Sequence, residues 1–224
     1  MYDVTLYGHL TVDRVLTGFE MDNTLGSMAN VWKELITRNP TLKISLQPTV
    51  IGEALIYVDK DKSERYSAVN LNMKTNDPVI QDSRWNHVLY INKLPNTDFL
   101  KSLKWGVTSA DICRGEKLRD LSILKNIDIL FLSDEDNFYD IEELQSYVKK
   151  YIILHSKNGS DIYYKSGAVL NTKVEVIENV NVLGCGDMLA ANFINYYLQT
   201  GDVKASIKNS HAELTEYLRS SNEV

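Results

Sequence analysis

The sequence is poor in cysteine and histidine, with two of the first and four of the second. Cys113 and Cys185 make neither a Cys-x-x-Cys pair nor a disulfide framework, and the histidines have no metal-ligand spacing. That argues against a disulfide scaffold and a zinc centre and implies a reducing, cytoplasmic setting. Long apolar runs are also missing. No stretch reaches the roughly 18 consecutive apolar residues of a membrane helix. Met1-Tyr-Asp-Val lacks the basic and apolar regions of a signal peptide. Basic charge is in deficit, with 24 Lys and Arg against 30 Asp and Glu and a net charge of −6. Nucleic acid and anionic membranes both select a basic face, so neither is an expected partner. No internal repeat, low-complexity tract or proline-rich linker divides the chain. At 224 residues, 44% of them hydrophobic, a single globular domain with its own core is expected over 1–224.

What is present is organised around the stretch from Asn181 to Leu198. Gly184 and Gly186 flank Cys185 and lead into Asp187, after which Ala190, Phe193, Ile194, Tyr197 and Leu198 recur at i, i+3, i+4, i+7 and i+8. This spacing predicts a helix with one buried face, and Gly201 stands where a left-handed cap ends it. The first N–H groups of a helix lack intrahelical acceptors and carry the positive end of its dipole. Glycines let a bulky anion approach them. The amides of Cys185, Gly186 and Asp187 therefore make a candidate anion hole suited to phosphate. Asp187 itself cannot bind phosphate, but it can take a proton from a hydroxyl that attacks one. An acidic residue also complements the dipole of any helix start, and Gly-x-Gly is a common turn.

In chain order, Asp3–Tyr7 reads as a first strand closed by Gly8, with Asp13 shortly after it. Met28, Val31, Trp32, Leu35 and Ile36 predict a helix with Ser27 at its N-cap, stopped by Asn39-Pro40. Glu53–Asp59 and Glu64–Asn70 are β-prone runs around a polar turn and predict a hairpin spanning about 53–72. Strand-like runs then follow at 87–91, 106–110, 128–132 and 151–154, separated by segments 97–104, 116–126 and 140–149 that read as helices. Asp161–Tyr164 and Lys173–Ile177 predict edge strands, and Val203–Leu218 a last amphipathic helix. Strands alternating with crossover helices predict an α/β fold with a mostly parallel central sheet flanked by helices. Ligands bind such sheets beyond the carboxyl ends of the strands. Asp13, Asn92, Asp111, Ser133, Asp136 and Ser156–Gly159 all follow predicted strands.

Gly184-Cys185-Gly186-Asp187 resembles the Gly-Ala-Gly-Asp signature of the ribokinase-like (PfkB) carbohydrate kinases. In that family the glycine loop is the anion hole and the Asp deprotonates the substrate hydroxyl. The resemblance extends over nearly the whole chain in order. Gly8, Asp13, Gly26 and Asn30 are similar to the family's opening, where the Asp and Asn bind substrate hydroxyls; Leu25-Gly26 stands where Gly-Gly is usual. Asp111-Ile-Cys-Arg114 is similar to the family's Asp-x-x-Arg and implies a substrate contact from Asp111. Ser133 and Asp136 stand where Asn-x-x-Glu organises magnesium and phosphate through water. Ser156 and Gly159 fall in the nucleotide-proximal loop, with Leu154 and Ser156 where Thr and Gly are usual, and Asn181 replaces an Asp. The hairpin at 53–72 corresponds to a β lid that covers the substrate, and its uncovered edge invites pairing with a second copy. Only 41–52 separates the first helix from the lid, where the family commonly carries a further helix and strand.

The resemblance implies a shortened ribokinase-like domain that transfers phosphate from ATP, with Mg²⁺, to a hydroxyl of a sugar or nucleoside. Asp187 is the expected base. The departures at Leu154, Ser156 and Asn181 support a second expectation, a protein that keeps the fold and binds a small molecule or a partner without phosphotransfer.

Overall fold

The structure is a computed structural model that describes residues 1–59, 64–113, 116–136 and 139–222. The elements in chain order are β1 (Tyr2–Thr17), β2 (Glu20–Leu25), α1 (Ser27–Arg38), β3 (Ile44–Asp59), β4 (Glu64–Thr75), β5 (Ser83–Val88), β6 (Val107–Asp111), β7 (Ile129–Ser133), α2 (Ile141–Tyr147), β8 (Tyr151–Ser156), β9 (Gly159–Tyr164), β10 (Val169–Lys173), α3 (Cys185–Thr200) and α4 (Val203–Asn222). They form a mixed α/β fold of two compact units. The first comprises Met1–Gly8, Thr41–Gln47 and Asp77–Lys173; the second comprises His9–Pro40, Pro48–Asn76 and Val174–Val224.

The first unit is a sheet in which β1, β5, β6, β7 and β8 are neighbours in that order and run parallel, as in the register Leu6↔His87, His87↔Ser109, Ser109↔Ile129 and Ile129↔Tyr151. Hairpins add β9 and β10 antiparallel beyond β8. One face buries Tyr7, Val88, Ala110, Leu130 and Ile152 against Leu100, Leu124, Leu144 and Val148 from the connections. Each fully buried aliphatic side chain here contributes about 1.5–3 kcal/mol relative to exposure.

Those connections correct the expectation of crossover helices. Segments 97–104 and 116–126 contain only the 3-10 turns Asp98–Ser102 and Leu121–Asn126, and α2 is seven residues long. The apolar spacing explains the difference. Leu100 and Leu103, like Leu121, Leu124 and Ile127, recur every third residue, the period of a 3-10 turn. The Leu103 and Ile127 amides close on the Leu100 and Leu124 carbonyls at 3.2 and 2.9 Å.

Strand boundaries also differ from expectation: β2 is an additional strand, and β3 begins at Ile44, well before Glu53. β1 continues through Gly8 to Thr17, so Asp13 lies inside a strand and not in a turn. β5 ends before Tyr90, whose left-handed backbone (φ 55°) breaks the extended run. β10 is Val169–Lys173, because the chain turns back at Gly167 and pairs with β9 until Lys173 meets Gly159, where the partner strand begins. Beyond that point the expected strand 173–177 has no partner in β9.

Among the buried groups of this unit is His87, whose Nδ1 lies 2.8 Å from Ser109 Oγ. The same oxygen accepts the Trp85 indole N–H at 2.7 Å. Burial pushes the His87 imidazole down to about 3.

The second unit packs α3 between α1 and α4. Met28, Val31 and Leu35 of α1 are fully buried, as the sequence spacing predicts, whereas Trp32, expected on the same face, is exposed. α3 is buried on more than the one predicted face, since Leu189 and Ala191 are enclosed along with Ala190, Phe193 and Ile194. A helix flanked on two sides needs apolar or small residues around most of its surface. Polar groups tie the three helices together. Glu34 accepts from Asn192 at 3.0 Å and from Arg38 at 2.9 Å, and Arg38 reaches Glu213 at 2.6 Å, where Tyr196 also donates. In the same unit β2 folds back antiparallel on β1, and β4 on β3. Ile56 and Val58 of β3 pack with Val15 of β1 and with Leu183, just before the glycine loop.

Candidate active site

The candidates of the second unit lie on β1, on α1 and at the start of α3. Gly184 occupies the N-cap in the left-handed region (φ 80°, ψ 0°), and Gly201 caps the other end at φ 68°. Glycine is favoured at 184 by this conformation, and a Cβ there would also make a tight 3.3 Å approach to Asn30 Nδ2. The Asn181 side chain accepts the Leu183 amide at 2.9 Å and shapes the approach to the loop. The Cys185 amide turns back to the Val182 carbonyl at 3.2 Å, and the Met188 amide closes the first helical bond on Gly184 at 2.9 Å. The amides of Gly186 and Asp187 lie between those two, at the positive end of a 16-residue helix.

Asp187 is 7% exposed. Its Oδ1 accepts the Ser27 hydroxyl at 2.7 Å and its Oδ2 the Asn30 amide at 3.0 Å. Ser27 and Asn30 stand three residues apart on α1, hence on one face of that helix. Asp13 lies on the buried side of β1 with Thr11 and Val15, while Val12 and Arg14 face outward. Thr11 Oγ1 donates to Asp13 Oδ1 at 2.7 Å. Gly26, the N-cap of α1, joins these groups: a Cβ on it would overlap Thr11 Oγ1 and stand 3.0 Å from Asp13 Oδ1. The missing side chain lets the start of α1 approach β1, where the Gly26 amide donates to the Thr11 carbonyl at 2.8 Å, and sets Asp13 beside the start of the helix that carries Ser27 and Asn30.

Gly26→Ala is therefore expected to destabilise the protein by about 1–3 kcal/mol, the usual cost of overpacking. Adding Thr11→Ala should recover part of the loss. Urea unfolding of the single and double variants measures both, and an unchanged midpoint in Gly26→Ala would contradict the close approach.

The candidates of the first unit lie at the carboxyl ends of neighbouring strands. Asp111 ends β6, Ser133 ends β7 and Ser156 ends β8. Each accepts a backbone amide. Asp111 Oδ1 accepts the Tyr90 amide. Ser133 Oγ accepts the Glu135 amide at 3.3 Å, and Ser156 Oγ the Asn158 amide at 3.1 Å. Asp136 belongs to the 3-10 turn Asp134–Asp136, and Arg114 lies outside the described residues. Gly159 opens β9 at φ 126°, where a Cβ would overlap the Thr172 carbonyl of β10. Close packing of β10 thus requires glycine there.

Sequence reading missed two members of the Asp187 constellation, Thr11 and Ser27. Thr11 carried a signal, since it sits two residues from Asp13 and a strand puts i and i+2 on one face.

No protein-family model and no curated protein matches the sequence. The structure, by contrast, superposes closely on solved ones. A ribokinase from Thermotoga maritima gives a TM-score of 0.74 at 14% identity, over 96% of this chain and 92% of that one. The fold is that of the ribokinase family. A nucleoside kinase of that family from Methanocaldococcus jannaschii gives 0.60 at 17% identity, over 92% of this chain and 88% of that one. A pyrophosphate-dependent ribokinase-family kinase, complexed with a pyrophosphate analogue and myo-inositol, gives 0.65 at 15% identity, over 96% and 95%. The structural neighbours of this ribokinase fold are thus sugar, inositol and nucleoside kinases. No helix among the described residues is long and apolar enough to cross a membrane.

Proposed function

We propose that the chain is an ATP- and Mg²⁺-dependent phosphotransferase, acting in the cytoplasm on a hydroxyl of a sugar-like or nucleoside-like alcohol. The observation that carries this reading is the buried Asp187 carboxylate, held by Ser27 and Asn30 in the first turn of the helix that Gly184 opens. A carboxylate in that position is suited to take the proton of an attacking hydroxyl. The neighbouring amides of Gly186 and Asp187, with Cys185 partly committed to Val182, face negative charge developing on a transferred phosphoryl group. Asp13 and Asn30 orient the alcohol through its other hydroxyls, and Gly26 lets the start of α1 pack close to Thr11 and Asp13.

ATP would supply the phosphoryl group and Mg²⁺ would offset its charge. Hydroxyl and carboxylate oxygens with retained water are the donors Mg²⁺ takes, so Ser133 and Asp136 fit that ion chemically, with Ser156 and Gly159 assigned to the nucleotide. Phosphoryl transfer is mostly positioning and charge stabilisation, which these groups can provide. The β3–β4 hairpin of the second unit serves as the lid. Ile56 and Val58 pack with Val15, on the same side of β1 as Asp13, so this layer helps exclude water.

A second reading, binding without phosphotransfer, is favoured by the backbone amides that Asp111, Ser133 and Ser156 already accept. A donor-consumption screen over sugars, polyols and nucleosides, run separately with ATP and pyrophosphate, decides between them. The kinase reading expects turnover with one alcohol class. No turnover on any alcohol, together with ligand-induced thermal stabilisation, would establish the second reading.

The lid strands, with β1 and β2, also expose Val12, Met21, Leu25, Ile51 and Tyr57, and this surface is assigned to pairing with a second copy. Light scattering should give a dimer that Met21→Lys combined with Leu25→Lys converts to a monomer. A wild-type monomer would remove the assignment.

A further inference from the structure

Ser27 stands where a helix N-cap is expected, yet it does not cap α1. Gly26 takes that place without any side-chain cap bond, and Ser27 is the first residue of the helix proper. The residue is 3% exposed, and its hydroxyl donates to Asp187 Oδ1, a partner 160 residues away in sequence. A buried hydroxyl needs a partner, but a serine at a helix start usually finds one in its own first turn. The long-range choice therefore concerns Asp187 and not the integrity of α1.

We propose that Ser27 is a positioning residue for Asp187, fixing Oδ1 while Asn30 fixes Oδ2, so that the carboxylate is oriented before the alcohol arrives. The inference rests on the kinase reading of the site. The terminal torsion of an aspartate is broad and roughly two-fold, so one donor would leave the carboxylate plane free to swing. Two donors, one on each oxygen and both from the same face of a rigid helix, remove that freedom. A carboxylate offers about four lone-pair positions, so these two bonds are compatible with a third from a substrate hydroxyl. Orientation matters because a displacement of about 1 Å at a reacting group can cost on the order of 100-fold in rate.

The test compares Ser27→Ala and Ser27→Thr, each in the wild-type and Asp187→Asn backgrounds. Ser27→Ala should lower kcat by about 10- to 100-fold while the acceptor KM stays within about 3-fold, because the group acts on the base and not on substrate affinity. Ser27→Thr returns a hydroxyl to the same position and should restore most of kcat. In the Asp187→Asn background Ser27→Ala should have almost no further effect. An unchanged kcat in Ser27→Ala, or an equal loss in both backgrounds, overturns the proposal; the second result indicates a structural role only.

A stability arm separates this inference from the kinase reading. Urea unfolding of Ser27→Ala, Asp187→Ala and the double variant measures their coupling without any substrate, and Ser27→Cys replaces Ser27→Ala should that variant fail to fold. Additive effects overturn the positioning role whatever the activity. Clear coupling in a protein that turns over no alcohol leaves Ser27 as the holder of Asp187 and overturns the kinase reading alone.

Discussion

Asp187→Asn is expected to reduce turnover by about 100- to 10,000-fold, the usual contribution of a general base, while leaving the fold almost unchanged. The structure explains why the two effects separate. Asparagine is isosteric with aspartate, and its amide can point its oxygen at the Asn30 donor and its nitrogen at Ser27. The Ser27 hydroxyl then rotates from donating, as it does to Asp187 at 2.7 Å, to accepting. Both contacts survive in neutral form, so the stability change should stay within about 1 kcal/mol, the net worth of an ordinary hydrogen bond. Lost with the charge is the capacity to accept a proton. Steady-state kinetics and thermal unfolding of the two proteins check both halves. Equal turnover would exclude Asp187 as the base, and a collapsed fold would make it a structural group.

Stability should fall steeply between neutral and mildly acidic pH, through two buried histidines. Burial pushes His87 down to about 3 and His211 to about 4, from an ordinary value of 6.5. The folded state thus holds both imidazoles neutral, whereas the unfolded chain takes up protons once the pH drops below 6.5. For groups depressed in this way the stability is fully present above the unfolded value and is lost as pH falls towards the folded one. Each histidine contributes a slope approaching about 1.4 kcal/mol per pH unit, so the pair should cost about 4 kcal/mol between pH 7.5 and 5. That is a large share of the roughly 5–15 kcal/mol typical of a folded domain. Urea unfolding at the two pH values measures it, and His211→Gln should remove about half of the loss. A flat profile would mean that both imidazoles reach water or a carboxylate when protonated.

The parts of this molecule legible in the sequence are those governed by local rules. Gly184 and Gly201 mark the two ends of α3, and both hold the left-handed conformation that glycine tolerates. The apolar runs along 128–132 and 151–154 became neighbouring parallel strands because β-branched and aliphatic stretches bounded by polar residues fit a sheet buried on both faces. What sequence could not supply was the choice between local and distant partners. Gly8 looked like a strand end, yet β1 runs straight through it, and that continuation carries Thr11 and Asp13 on one face. Ser27 had a local role open to it as a cap and took Asp187 instead. Asp111, read as a substrate contact, accepts the amide of Tyr90, whose left-handed turn ends β5. The connections at 97–104 and 116–126, too polar on one side for strands, read as helices, yet their leucines recur every third residue and fold as 3-10 turns.

The central claim is that the Asp187 carboxylate takes the proton of an alcohol hydroxyl as that hydroxyl attacks the terminal phosphoryl group of the donor, whose remainder leaves. Phosphorus NMR of the reaction mixture tests it most directly, because it sees the bond that forms. With the alcohol identified in the donor screen, the wild-type protein should build a phosphomonoester resonance in one-to-one step with loss of donor, and Asp187→Asn should show almost none over the same period. Donor lost only to inorganic phosphate, at equal rates in the two proteins, would contradict the account.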